Sequence, residues 1–144
     1  MLEQMAIQVS GTCSIGANSS YTCTGTAPSQ TLSTSINAAT GNVTLAMAPM
    51  AGGVAKLVET GTLGANTSTC QGVIHVTDSD SIRYTGSGQH FVAGDLYTEG
   101  VAGTIVGGTG AYTGAKGYLA YNLVEANSDS RGYNLYMVIT VLLP

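Results

Sequence analysis

The residues best placed to do chemistry stand in the sequence FVAGDLYTEG, which begins at Phe91. Strand alternation gives Phe91, Asp95 and Tyr97 the same phase, so a continuous strand would turn a carboxyl group and two aromatic rings to one side. A carboxyl in that setting has either a raised pKa or a cationic partner. Asp95 is therefore predicted to act as an acid–base or orienting group. The alternative is a solvent-facing aspartate at a strand end beside Gly94.

Other catalytic and metal-binding patterns are missing from the sequence. No G-x-S-x-G segment marks a nucleophilic serine, and His75 and His90 are the only imidazoles. No H-x-x-x-H pair occurs, and the cysteine spacing fits no zinc site. The sequence therefore predicts neither a metal nor a metal-dependent hydrolase.

The charge pattern narrows the set of partners. The net charge is −4, and the four basic residues are scattered, which argues against a nucleic-acid partner. The longest apolar run, near the C-terminus, is too short to cross a bilayer as a helix, so no membrane partner is expected.

A glycine-rich turn lies between two apolar runs in Val101–Leu123. Gly107 and Gly108 can adopt the positive φ angles of a tight reversal or bulge. Spacing excludes a phosphate-binding loop, because Gly114 and Lys116 are not adjacent. A dinucleotide-binding fingerprint is excluded as well, because its glycine spacing is incomplete and no helical pattern follows it.

This stretch resembles a known family. The segment GGTG at Gly107–Gly110, the aromatic Tyr112 and the segment GAKG at Gly114–Gly117 are similar to the GGTG-x-F…ARG hallmark of the dirigent and allene-oxide-cyclase barrels. The chain differs from that hallmark in having Tyr112 for phenylalanine and Lys116 for arginine. Lysine keeps the charge but lacks the planar fork of arginine.

The resemblance implies a function. Such barrels hold a reactive, largely apolar intermediate and direct its stereoselective ring closure without a cofactor. The expectation is a cyclase for a hydrophobic natural-product intermediate, acting by a pericyclic reaction such as a hetero-Diels–Alder closure or by quinone-methide capture. The alternatives are a non-catalytic small-molecule-binding barrel and a secreted structural or carbohydrate-recognition β domain.

Alternation predicts which residues share the lumen of such a barrel. The candidates for catalysis are Asp95, Tyr97 and Tyr121. The candidates for the substrate-binding wall are Tyr84, Phe91, Leu119, Tyr133 and Met137. Each buried tyrosine would supply a flat wall and a hydroxyl group that needs a hydrogen-bond partner.

The elements that must position these residues are short strands. Only 8% of the residues are charged and 44% are hydrophobic, and turn signals recur between ten short β-like segments. This pattern predicts one all-β domain, a sandwich or a barrel. Together with the resemblance, this pattern predicts an eight-stranded or slightly larger antiparallel barrel that spans residues 1–144. Residues 1–40 could form an extra N-terminal hairpin and loop, with one helical turn in Pro28–Ala39.

The last predicted strand, Tyr133–Leu142, is apolar on both faces. Its odd positions are all apolar or aromatic, and its even positions are half apolar. The odd face is predicted to line the interior, and the even face to be covered by a partner subunit. A homo-oligomer, a dimer or trimer, agrees with the family's habit.

The cysteines and sequons indicate a secretory protein with its signal peptide removed. Cys13 and Cys23 flank a polar loop and are predicted to pair, although Cys70 could bond to either one. All three could instead be buried small hydrophobic residues. Glycosylation sequons begin at Asn18, Asn42 and Asn66.

Overall fold

The computed structural model describes residues 1–127 and 131–144, apart from the side chains at positions 28, 29, 32, 34 and 50–54. These residues form a closed, eight-stranded antiparallel barrel, which confirms the predicted fold class. The strands are β1 Leu2–Ile15, β2 Ser20–Ile36, β3 Val43–Leu63, β4 Thr67–His75, β5 Ser81–Ala93, β6 Leu96–Thr109, β7 Lys116–Ala126 and β8 Gly132–Leu142. Two single-turn 3₁₀ segments supply the only helix in the described residues, and neither could span a membrane.

Each strand pairs with the next along the chain, and β8 pairs with β1 to close the barrel. Alternate residues of every strand therefore point inward, and these inward residues form the core. On β8 the inward row is buried as predicted and consists of Tyr133, Leu135, Met137, Ile139 and Val141.

The outer face of β8 is not covered within a single chain. Tyr136, Val138 and Leu142 are 46%, 37% and 54% exposed, whereas Thr140 is buried. Within one chain, the prediction that both faces of β8 are buried is therefore confirmed for the inner face only. Coverage of the outer face by a partner stays a prediction.

Strands β1 and β2 form an N-terminal hairpin that is part of the barrel wall as far as Thr31, where the pairing of β1 with β2 stops. The helical turn expected in Pro28–Ala39 is wrong as far as Ile36, where β2 ends. The chain turns only after that residue, and the Gly41 N–H donates a hydrogen bond to the Asn37 carbonyl at 2.8 Å. Pairing with β2 keeps β3 extended from Val43 to Leu63, with a register shift between Pro28 and Gln30 on β2. The part that extends beyond the barrel is residues 32–47, which we call the arm.

The glycine-rich turn closes one end of the barrel, called here the closed end. Gly107 has φ 146°, and the pairing of β5 with β6 shifts register beside it, so of the two predicted alternatives, a tight reversal or a bulge, the structure has a bulge here. The turn that follows brings Tyr112 into the core, where the ring is 4% exposed. The Asp80 carboxylate secures the turn by accepting a hydrogen bond from the Ala111 amide at 3.0 Å. The hallmark-like motif is thus a plug for the barrel.

Cys13 and Cys23 lie directly opposite each other on β1 and β2 and form a disulfide, with a Cα–Cα distance of 4.1 Å. Cys70 is a free, buried cysteine. We expect the unreduced protein to gain two daltons on reduction, and the double variant Cys13→Ser/Cys23→Ser to lose about 2–3 kcal/mol of unfolding free energy. Intact-mass measurement and chemical denaturation test this. Titration of three thiols in unreduced protein would contradict it.

Candidate functional site

A buried carboxyl group held by three tyrosines lies in the barrel interior. Alternation on β3 turns Glu59 inward, where it is 2% exposed. Its Oε1 accepts a hydrogen bond from Tyr21 at 3.1 Å, and the Tyr121 hydroxyl lies 2.9 Å from both carboxyl oxygens. Tyr84 donates a third hydrogen bond, to Oε2. We call Glu59, Tyr21, Tyr84 and Tyr121 the Glu59 cluster.

The electrostatics of this cluster favour neutral groups. Burial raises the pKa of Glu59, and the hydrogen bonds from Tyr84 and Tyr121 oppose that rise only in part. In the described residues Glu59 has no salt-bridge partner. Burial and the nearby Glu59 also raise the pKa of Tyr84 and Tyr121 far above the usual value, so both hydroxyls keep their protons. The cluster can therefore donate hydrogen bonds inside an apolar lumen.

Glycines make room for the tyrosine rings. Gly72 lies directly opposite Tyr84 on the neighbouring strand, and Gly61 lies opposite Tyr21. A Cβ atom on either glycine would overlap the facing ring. The rings can therefore lie flat against the strands and direct their hydroxyls to Glu59.

A second carboxyl group lies on the inner face of β6. Glu99 is 6% exposed and accepts hydrogen bonds from Ser68 and from Tyr97, the latter at 3.3 Å. His90 is directly across from Glu99 on β5, and its ring stacks on Tyr97 with a centroid distance of 5.2 Å. We call Glu99, Ser68, Tyr97 and His90 the Glu99 group.

A third carboxyl group, Glu125, stands next to the opposite end of the barrel, called here the open end. Its Oε1 lies 3.2 Å from Nη1 of Arg131. Burial raises the pKa of Glu125, and Arg131 partly offsets this. Among the described side chains, His90 Nδ1 and the Tyr133 hydroxyl are buried without a hydrogen-bond partner, and burial raises the pKa of Tyr133 to about 12.

The cavity at the open end is small. Its volume is about 20 Å³, and Tyr21, Leu63, Glu99, Glu125 and Arg131 are among the side chains that line it. Such a volume holds about one water molecule. The described side chains therefore leave little space at this end of the lumen, and Tyr21 connects the cavity to Glu59.

The structure places most of the predicted lumen residues as expected. Tyr84, Tyr97, Leu119, Tyr121, Tyr133 and Met137 are all buried in the core. Tyr84 and Tyr121 meet at Glu59, whereas Tyr97 belongs to the Glu99 group. Their predicted roles in binding and catalysis remain predictions.

The predicted positions of Asp95 and Phe91 are wrong. Asp95 is exposed in the turn between β5 and β6, and Phe91 is 63% exposed on the outer face. The reason is a two-residue turn, in which Ala93 pairs with Leu96 and Gly94 has φ 60°. Because the chain reverses there, Phe91 and Tyr97 lie on different strands and do not share a phase.

The sequence reasoning missed the three inward carboxyl groups. The signal was available for two of them, because Glu99 is one alternation step from Tyr97 and Glu125 is two steps from Tyr121. Glu59 is likewise in phase with Ala55 and Leu57 along its strand. Both faces of that segment could have been buried, so the sequence did not decide which face points inward. Asp95 was the carboxyl group predicted to face the tyrosines, although Glu99 is as close to Tyr97 along the strand and has the same phase.

No group of three or more histidine, cysteine, aspartate or glutamate side chains within the described ranges is arranged to hold a metal ion. Comparison with known proteins finds no matching family model, no similar curated protein and no similar solved structure. The resemblance of the glycine-rich motif to the dirigent and allene-oxide-cyclase barrels therefore stays a prediction.

Proposed function

We propose that this protein is a cofactor-independent cyclase for a hydrophobic intermediate, and that the Glu59 cluster activates the reactant. The observation that supports this is a carboxyl group buried among three tyrosine hydroxyls with no counter-ion in the described residues. Such a group is expensive to bury, and buried groups of perturbed pKa occur most often at functional sites.

The chemistry demanded of the cluster is modest. In a pericyclic closure, new bonds form within the reactant, and no atom or electron pair enters or leaves. A protonated Glu59 or a Tyr121 hydroxyl would donate a hydrogen bond to a reactant carbonyl and stabilise the negative charge that develops on its oxygen. The surrounding apolar wall would hold the reacting ends together, which supplies much of the rate gain.

Access is expected from the open end. The closed end is plugged by Tyr112, whereas the small cavity at the open end leads through Tyr21 to Glu59. A reactant much larger than water has to displace side chains there. Leu63 and the partly exposed Arg131 are the candidates, because they line the cavity near the turns.

The test is ring closure of linear compounds that carry an unsaturated carbonyl tethered to an alkene. We expect faster closure and one enantiomer in excess with the protein, and a loss of about 100-fold in rate for Tyr121→Phe, because one donor to the developing oxyanion is removed. Asp95→Asn is the matched control, since Asp95 is exposed. Equal rates and racemic product with and without protein would count against catalysis, and a full effect of Asp95→Asn would restore that residue as the candidate.

A second candidate function is binding or a structural role without turnover. The small volume of the open-end cavity favours it, because a filled lumen has no room for a preformed reactant complex. Thermal stabilisation by the same compounds without product formation would indicate binding alone. No stabilisation and no product would favour a structural role.

We further propose that the protein is secreted, because the disulfide is compatible with an oxidising compartment and the three sequon asparagines are exposed in turns. Expression in a eukaryotic secretory host is expected to place glycans on one or more of Asn18, Asn42 and Asn66. Intact mass before and after glycosidase treatment measures this. An unchanged mass would speak against the secretory assignment.

A further inference from the structure

The arm has one apolar face that the rest of the chain does not bury. Opposite residues of an antiparallel pair share a face, and the register pairs Ile36 with Val43. Alternation adds Leu45 and Met47 to the same side. These four side chains are 70%, 61%, 66% and 54% exposed. The opposite face carries Ser33, Ser35, Thr44 and Ala46.

The arm also has free backbone edges and no charge. In the described pairings, β1 pairs with β2 only as far as Thr31, and β4 pairs with β3 only as far as Lys56. No charged residue occurs between Glu3 and Lys56 in the sequence. Exposed edges are normally protected by charges, so an uncharged edge with an apolar face is suited to contact with another protein chain.

A groove on the outside of the barrel has matching chemistry. It crosses β4 to β8 and has a volume of about 1070 Å³. Its floor consists of the small residues Gly100, Ala102 and Ala120, and its rim carries Phe91, Tyr136 and Val138. The outward-facing residues that line it in the described chain are uncharged. A strand bearing aliphatic side chains could lie against such a floor.

We propose that the protein forms a dimer in which the apolar face of each arm occupies the outer groove of a second copy. The arm reaches the rim of its own groove at one point, where the Tyr136 hydroxyl lies 3.4 Å from the Met47 sulfur. Its apolar side chains nevertheless remain exposed there. One chain therefore presents both an unburied apolar arm and an unfilled groove whose outward-facing lining is uncharged and partly apolar, and a second copy satisfies both. This arrangement would also cover Tyr136 and Val138 on the outer face of β8.

The experiment is sedimentation velocity over a wide concentration range on the whole chain with its disulfide intact. The variants are Leu45→Lys on the arm, Ala120→Glu on the groove floor and Ser35→Lys on the opposite face of the arm as the matched control. Leu45 and Ser35 are exposed and Ala120 points outward, so folding should be preserved, and thermal melts check this. We expect dimers for the wild-type chain and Ser35→Lys, and at least about 100-fold weaker association for each of the other two, because each inserts an unpaired charge into the contact.

Mixing the two weakened variants gives the sharper result. Lysine on one arm would face glutamate in the other copy's groove, and the remaining arm and groove would be wild type, so the equimolar mixture is expected to dimerise again. A wild-type chain that is monomeric at every concentration would overturn the proposal and indicate that each arm closes on its own barrel. Dimers of Ala120→Glu as tight as wild type, or a mixture that stays monomeric, would also overturn it, because the arm would then contact something other than the groove.

Discussion

Replacing Glu59 by glutamine is expected to remove the part of the pH dependence of stability that Glu59 produces, and to lower any cyclase rate about 100-fold or more, since the acidic donor is lost. Glutamine keeps the shape and one acceptor oxygen, so the barrel should fold.

Glu59→Ala is the harsher change, because three tyrosine hydroxyls lose their acceptor at once. Each buried unsatisfied donor costs about 1–3 kcal/mol, so we expect a loss of about 3 kcal/mol or more.

The direction of the pH effect follows from the raised pKa. Burial raises the pKa of Glu59 above the reference value of 4.5, so the folded protein holds this proton more tightly than the unfolded chain. The stabilisation from that proton is complete below about pH 4.5 and is lost as the pH rises through the folded-state pKa. Wild-type unfolding free energy should therefore decline over that window.

Chemical denaturation at a series of pH values measures this decline. Glu59→Gln is expected to flatten the curve except for the part that Glu125 supplies, because burial raises the pKa of Glu125 as well. The double variant with Glu125→Gln separates the two contributions. Parallel curves for wild type and Glu59→Gln would contradict a Glu59 that titrates in the folded state above its unfolded value.

Substituting alanine for Gly72 should damage both the barrel and its polar cluster. The added Cβ would overlap the Tyr84 ring, so the ring must move and its hydrogen bond to Glu59 is lost. Overpacking costs about 1–3 kcal/mol and the hydrogen bond about 1 kcal/mol more, so we expect a loss of about 2–4 kcal/mol. If the cyclase proposal holds, the rate should fall with it.

Gly100→Ala is the matched control for this substitution. Gly100 is also a strand glycine, but it faces outward, and its added Cβ would meet only the Asn122 Oδ1 at 3.3 Å. We expect a change within about 0.5 kcal/mol. Thermal melts of both variants measure the difference. Equal effects of the two substitutions would show that the close approach of Tyr84 to Gly72 is unimportant for stability.

The sequence alone determined the all-β class and most of the inward-facing residues. The alternation of Tyr133–Leu142 follows from the two-residue period of a strand, which no tertiary contact can change. The same local rule correctly placed Leu119 and Tyr121, and the spacing of Cys13 and Cys23 predicted their pairing. The glycines of the GGTG segment predicted a tight reversal or a bulge, because few other residues adopt the φ of Gly107.

Only the tertiary structure decided which inward residues meet. Glu59 lies far along the chain from Tyr121, and the closure of β8 on β1 and the stagger of the strands bring their side chains to one level of the lumen. The position of Asp95 depended on whether the chain continued as a strand through Gly94 or reversed there. Pairing of β5 with β6 selected the reversal. The strands of the arm are extended for the same reason, since pairing of β2 with β3 overrides the helical turn expected in Pro28–Ala39 as far as Ile36. Local periodicity thus decides which way a side chain points, and long-range pairing decides what it contacts.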